Sequence, residues 1–217
     1  MPPARLAKIV DQMNALHPDI IIGAGDFIGD NWIGRKYSVD EAIAPLGRLR
    51  ARLGVFAVLG NNDYEPAAHG IRTALKRAGV RLLEDQATSV GPIALGGLDG
   101  FIYHAREPWA WARLKTAEAM ARTPGVKILA AHRPDEIVPA APFVRLVLSG
   151  HTHCGQIVLP LVGALESGSD YGSKFLCGIV QDRSKVLIVT AGLGTSHLPL
   201  RFGAPPDIWL IRVEGRG

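Results

Sequence analysis

Apolar residues along the chain fall into short blocks that switch between helical and strand spacing. Leu6, Ile9, Val10, Met13 and Leu16 recur at helical intervals, so residues 4–16 are predicted as a helix that His17-Pro18 ends. Ile20-Ile21-Ile22 reads as an apolar strand that breaks at Gly23 and Gly25, delivering Asp26 just past its C-terminal end. Residues 39–53 have a helical pattern weakened by Pro45 and Gly47. Residues 55–59 form the next buried strand, closed by Gly60 and followed by Asn61-Asn62-Asp63. A third helix is predicted over 66–78, short strands between Val80 and Gly97, and a helix over 108–122 that contains Trp109, Trp111 and Leu114. Residues 126–131 make a strand ending at His132, and residues 143–148 one ending at Ser149-Gly150-His151. Beyond Gly155 strands dominate, over 156–159, 175–180, 186–190 and 208–213.

Strand and helix alternate through the first two-thirds and the last third adds sheet, which predicts a layered α/β domain. At 217 residues, 47% of them hydrophobic, a single domain with a substantial core is expected over 1–217. No run of eighteen apolar residues marks a transmembrane span, and Asp11 and Gln12 interrupt the first segment, unlike a typical signal peptide. The net charge of +4 and pI of about 9.3 suit an anionic partner. The basic residues are nevertheless spread out, so a dedicated nucleic-acid surface is not favoured. Cys154 and Cys177 lack CxxC spacing; reduced thiols in a cytoplasmic protein are expected, with one bridge as the alternative.

Four strand ends present metal-capable groups: Asp26, Asn61, His132, and the pair His151 and His153. Loops beyond the carboxyl ends of strands are where layered α/β proteins commonly bind ligands. Taken singly, Asp26 could cap a helix, Asn61 could be an ordinary turn residue, and His132 a satisfied core histidine. His151 and His153 flank a threonine in a Gly-His-Thr-His-Cys-Gly-Gln segment too glycine-rich to be chosen for strand packing. Carboxylate, amide oxygen and imidazole together suit zinc, manganese or iron. Such an ion can polarise a phosphoryl oxygen and acidify a bound water.

These residues resemble the calcineurin-like metallophosphoesterases over nearly the whole chain. Gly25-Asp26 is similar to the motif whose Asp bridges two metals, and Gly60-Asn61-Asn62-Asp63 to the motif whose Asn binds the second metal. His132 in Ala131-His132-Arg133-Pro134 and His151 in Gly150-His151-Thr152-His153 resemble further ligands of that metal, and His153 a ligand of the first. The Cys154-Gly155-Gln156 extension and the tail from Gly192 through His197 and Arg201-Phe202 resemble a membrane-associated, lipid-headgroup-like branch. The resemblance implies an α/β/β/α sandwich of two mixed sheets flanked by helices. It also implies hydrolysis of a phosphodiester or pyrophosphate, with a metal-bridging hydroxide attacking phosphorus in line.

Two departures qualify this. The family's opening Asp-x-His strand has no counterpart before Asp26, so the domain is expected to be N-terminally incomplete, through a late start, truncation or real loss. Its absence should expose strand edges and invite homo-oligomerisation. One well-held divalent ion is then expected from Asp26, Asn61, His132 and His151, and two only if the first site is completed. Asn62 also stands where the family has a histidine that protonates the leaving group; an amide can donate a hydrogen bond but transfers no proton near neutrality. Diesters are therefore expected over alkyl monoesters, with Asp26 and Asn62 the catalytic candidates. The competing reading is a degenerate fold that holds one metal without turnover.

Asn62, Arg133, His197 and Arg201 are the substrate-binding candidates. Asp63 is expected to buttress the Asn61 loop, Asp30 to bind a backbone amide or cap a turn, and His104 and Arg106 to lie at the site mouth or on a surface loop. Trp32, Trp109 and Trp111 are read either as an apolar rim or as sheet packing. The expected partner is a small phosphate ester or lipid headgroup, in the cytoplasm or at a membrane surface.

Overall fold

The computed structural model describes residues 1–99 and 109–214, and His104 and Arg106 lie outside them. Among the described residues, four α-helices, α1 (Pro3–Ala15), α2 (Val39–Ile43), α3 (Ile71–Arg77) and α4 (Trp109–Arg122), accompany eleven strands. A parallel sheet holds β1 (Ile21–Gly23), β2 (Val55–Ala57) and β3 (Val80–Leu82) in that order, with Ile22 opposite Phe56 and Phe56 opposite Arg81. The larger mixed sheet is built from β4 (Gln86–Val90), β5 (Ile93–Leu98), β6 (Val126–Ala131), β7 (Leu146–Ser149), β10 (Gly178–Asp182) and β11 (Lys185–Val189). Its order is β10-β11-β7-β6-β5-β4, while β8 (Val158–Leu159) and β9 (Gly163–Ala164) make a separate hairpin.

Side chains alternate across each strand, and that alternation builds the layers. Phe56 and Val58 face the large sheet and pack with Leu95, Ile128 and Ala130, forming the core between the sheets. Ala57 and Leu59 face the opposite way, onto Ile43, Ile71 and Leu75 from the helices over the small sheet. On the far side of the large sheet, Leu129 and Ala131 join Met120 of α4, Ile137 and Phe175. The result is the α/β/β/α sandwich expected from the sequence.

Several elements are shorter than their apolar patterns predict. The 39–53 helix stops at Ile43 and tightens to a 3-10 turn over Ala44–Arg48, where Pro45 removes a donor. Ser38 starts α2 with a capping box to Glu41. The 66–78 helix divides at Gly70, whose φ of +85° no helix accommodates, and residues 172–175 form a 3-10 turn ahead of β10. The predicted strand over 208–213 does not form: among the described residues it joins no sheet, and Leu210 and Val213 stay exposed. Strand propensity needs a partner edge, and none is placed beside it. The expected free thiols are also overturned, since Cys154 and Cys177 form a disulfide with Cα atoms 4.7 Å apart. Among the described residues no helix is long and apolar enough to cross a membrane.

Candidate metal centre

The carboxyl ends of parallel strands from both sheets meet at one place. Asp26 lies just after β1, Asn61 in the 3-10 turn beyond β2, His132 directly after β6, and His151 two residues after β7. Ligand atoms of Asp26, His132 and His151 all lie within 4.8 Å of one another. Asn61 Oδ1 joins them at 3.2 Å from His132 Nε2, which also sits 3.3 Å from Asp26 Oδ2 and 3.1 Å from His151 Nδ1.

Glycine permits this approach. Gly25 holds a φ of +91°, and a Cβ there would lie 2.7 Å from His132 Nδ1 and 2.5 Å from the Gly60 nitrogen. A Cβ at Gly60 would likewise lie 2.7 Å from His132 Cε1. Asp26 and His151 also take left-handed backbone angles, with φ of +55° and +67°. Such angles cost a non-glycine residue about 1 kcal/mol or more, and they concentrate at functional sites.

Each donor is oriented by a neighbour. Buried His132 donates from Nδ1 to the Ala24 carbonyl at 2.6 Å, which leaves Nε2 a bare acceptor when the ring is neutral. Asn61 donates from Nδ2 to Asn62 Oδ1 at 2.8 Å, turning its own Oδ1 toward His132. The Asn62 backbone amide donates to Asp26 Oδ1 at 2.9 Å. Asp63 accepts amide hydrogens from Phe27, Ile28 and Gly60, so it is the buttress the sequence suggests.

The charges of this cluster are mutually tuned. Burial works against the Asp26 carboxylate, but His132 and the Asn62 amide prevail and hold its pKa below the usual value. Burial opposes the His132 imidazolium too, yet Asp26 lifts its pKa. His151 is pushed down to about 3, by burial first and by the His132 charge second, so its ring is neutral. Burial raises Asp63 to about 6.

When His132 is neutral its Nε2 lone pair faces an amide oxygen and a carboxylate oxygen, three acceptors converging on one point. A cation at that point satisfies all three, so the donor set fits one divalent ion. His153 is not drawn into this cluster. Its ring Nδ1 is 3.3 Å from Arg201, and burial followed by the guanidinium charge lowers its pKa.

The remaining candidates are placed elsewhere. Arg201 spends its guanidinium on backbone carbonyls, those of His153, Ala191, Gly194 and Ala204 among them, and clamps the His153 loop from behind. Arg133 turns toward Asp170 at 3.1 Å and Asp135 at 3.7 Å. His197 pairs with Asp30 at 3.3 Å and packs its ring on Trp32, 4.7 Å between centroids. The orienting carbonyl of Ala24, the Arg201 clamp and the disulfide were not deduced from the sequence. Main-chain acceptors carry no side-chain signal, and cysteines 23 residues apart carry no spacing signal.

Comparison with known proteins agrees with this geometry. Residues 2–155 match the sequence model of a family described as calcineurin-like phosphoesterase. An uncharacterized metallophosphoesterase of Aquifex aeolicus is 31% identical over 92% of this chain and 74% of its own. A transmembrane protein with metallophosphoesterase domain from Danio rerio is 30% identical over 97% of this chain but 49% of its own, so the chain spans about half of it. An uncharacterized metallophosphoesterase of Bacillus subtilis is 31% identical over 96% of this chain and 72% of its own.

Proposed function

This chain belongs to the calcineurin-like phosphoesterase family, and on that premise we propose that it hydrolyses a phosphodiester or pyrophosphate bond with a divalent ion held by Asp26, Asn61, His132 and His151. The observation that carries the reading is the convergence of His132 Nε2, Asn61 Oδ1, Asp26 Oδ2 and the His151 ring on one point. A divalent ion supplies Lewis acidity and an acidified water when bound. The chain's own residues do the rest. Ala24 fixes the tautomer of His132, and Asn62 orients both Asn61 and Asp26. The Asn62 Nδ2 amide remains to donate toward a phosphate oxygen. No histidine occupies that position to protonate a leaving group, which favours diesters with good leaving groups over alkyl monoesters. His153 stands apart from the four donors, so one tightly held ion is expected, of which manganese, zinc and iron are the candidates.

The disulfide beside His153 favours an oxidising compartment over the cytoplasm first expected. Isothermal titration of the metal-stripped chain with manganese and zinc, with bis-p-nitrophenyl phosphate turnover on the same samples, tests the reading. One ion per chain with turnover is expected, and His132→Ala should weaken binding at least about tenfold, in line with loss of a ligand. No binding by the unaltered chain would overturn the site. One ion without turnover would make this a fold that holds metal without catalysis.

A further inference from the structure

Three loops beside the metal centre meet in an apolar rim that the phosphoesterase reading does not use. Residues 31–37 follow Asp26, residues 157–165 carry the β8–β9 hairpin, and residues 196–203 run between them. Asn31 donates to Thr195, and His197 packs on Trp32. On the other side, Val158 donates to the Phe202 carbonyl and Phe202 to that of Gln156, whose side chain also holds Ser196. The loops are therefore one surface, tied to His153 through Gln156.

That surface is apolar where water should reach it. Trp32 is 71% exposed, Val162 69%, and Leu161 at the hairpin apex is fully exposed. Ile33, Leu200 and Phe202 are exposed as well. Leu161 further holds a φ of +66°, in a turn where glycine or asparagine would relieve the backbone. A strained, fully solvated leucine is costly twice over, and stability alone does not explain it.

Charge indicates what covers the rim. None of residues 31–37, 157–165 or 196–203 is Asp or Glu, whereas exposed Arg35 and Lys36 follow directly on Trp32 and Ile33. Arg35 is engaged only loosely, 3.8 Å from Glu41. An exposed apolar apex, an exposed tryptophan and a loop carrying exposed Arg35 and Lys36 fit an anionic bilayer, whose interface accepts all three. We propose that this rim docks the protein on an anionic membrane surface, with the metal centre facing the headgroups. Docking itself needs only the rim. The class of substrate it would present, a phosphate ester in a lipid headgroup, rests on the proposed function.

The test is co-sedimentation of the full chain with phosphatidylcholine vesicles, with and without phosphatidylglycerol. Binding to the phosphatidylglycerol vesicles is expected, falling as salt rises. Leu161→Asn should leave thermal stability unchanged or higher, because asparagine tolerates the apex angle, while weakening vesicle binding at least tenfold. Arg35→Glu with Lys36→Glu should abolish the preference for anionic vesicles. Manganese titration of Leu161→Asn should match the unaltered chain, which separates a failure of the rim from a failure of the metal site. No vesicle binding, or binding indifferent to Leu161→Asn, would overturn the proposal. So would sedimentation velocity showing that Leu161→Asn dissolves a dimer, since a second copy would then cover the rim.

Discussion

His151 carries a pH dependence that single-residue chemistry predicts. Its folded pKa near 3 lies below the ordinary imidazole value, because burial and the neighbouring His132 charge both oppose a proton. An unfolded histidine protonates near pH 6.5, so between about 6.5 and 3 the unfolded chain takes up a proton that the folded chain refuses. Stability from this group is therefore present above that window and falls with acid, by up to about 1.4 kcal/mol per pH unit. Urea unfolding of the metal-stripped protein at pH 7 and pH 5 should show His151→Gln losing less stability than the unaltered chain. Equal losses would mean His151 accepts its proton in the folded state. At this scale the strand-end position of a side chain was readable where it followed an apolar run, closed by glycine before Asp26, Asn61 and His151 and running straight into His132. It was unreadable at Arg201, whose carbonyl partners come from three separate stretches of backbone.

The element that presents His151 and His153 is held by forces outside itself. Residues 151–156 include His151, His153, Cys154 and Gln156 at positive φ, a conformation the loop would not keep alone. Three ties oppose its relaxation: the Cys154–Cys177 disulfide, the Thr152 hydroxyl donating to the Leu176 carbonyl at 2.7 Å, and the Arg201 clamp. Closing a loop of 23 residues is worth about 3 kcal/mol in the chain-entropy picture. Reduction, or Cys177→Ser, should therefore lower thermal stability and weaken manganese binding together, read by calorimetry with and without reductant. A stability loss with unchanged affinity would show that the ties hold the fold but not the ligands. Strand identity was legible in the apolar runs here, while the short 3-10 turns were not. They arise where proline or a left-handed residue cuts a pattern that periodicity alone would continue.

Across the whole molecule, the two sheets differ in how their edges are covered, and that difference predicts self-association. The large sheet closes with antiparallel strands at both ends, β10 and β4. The small sheet begins at β1, a strand of three residues whose only partner among the described residues is β2. Elsewhere, the strand-forming sequence of residues 208–213 joins no sheet among the described residues, with Leu210 66% exposed. An open edge and an unpaired strand-forming segment in one chain offer complementary hydrogen-bonding groups to a second molecule. Sedimentation velocity over rising concentration should show a reversible dimer, weakened at least about tenfold by Leu210→Lys, since an edge lysine must be desolvated to pair. The dimer should be indifferent to Leu161→Asn, because the hairpin apex belongs to a different surface. A monomer at all concentrations would mean that the chain tolerates both open features. Self-association was already an expectation of the sequence; the unpaired C-terminal segment was not, because its residues have the alternation of any ordinary strand. Only the placement of the other strands leaves it without a partner among the described residues.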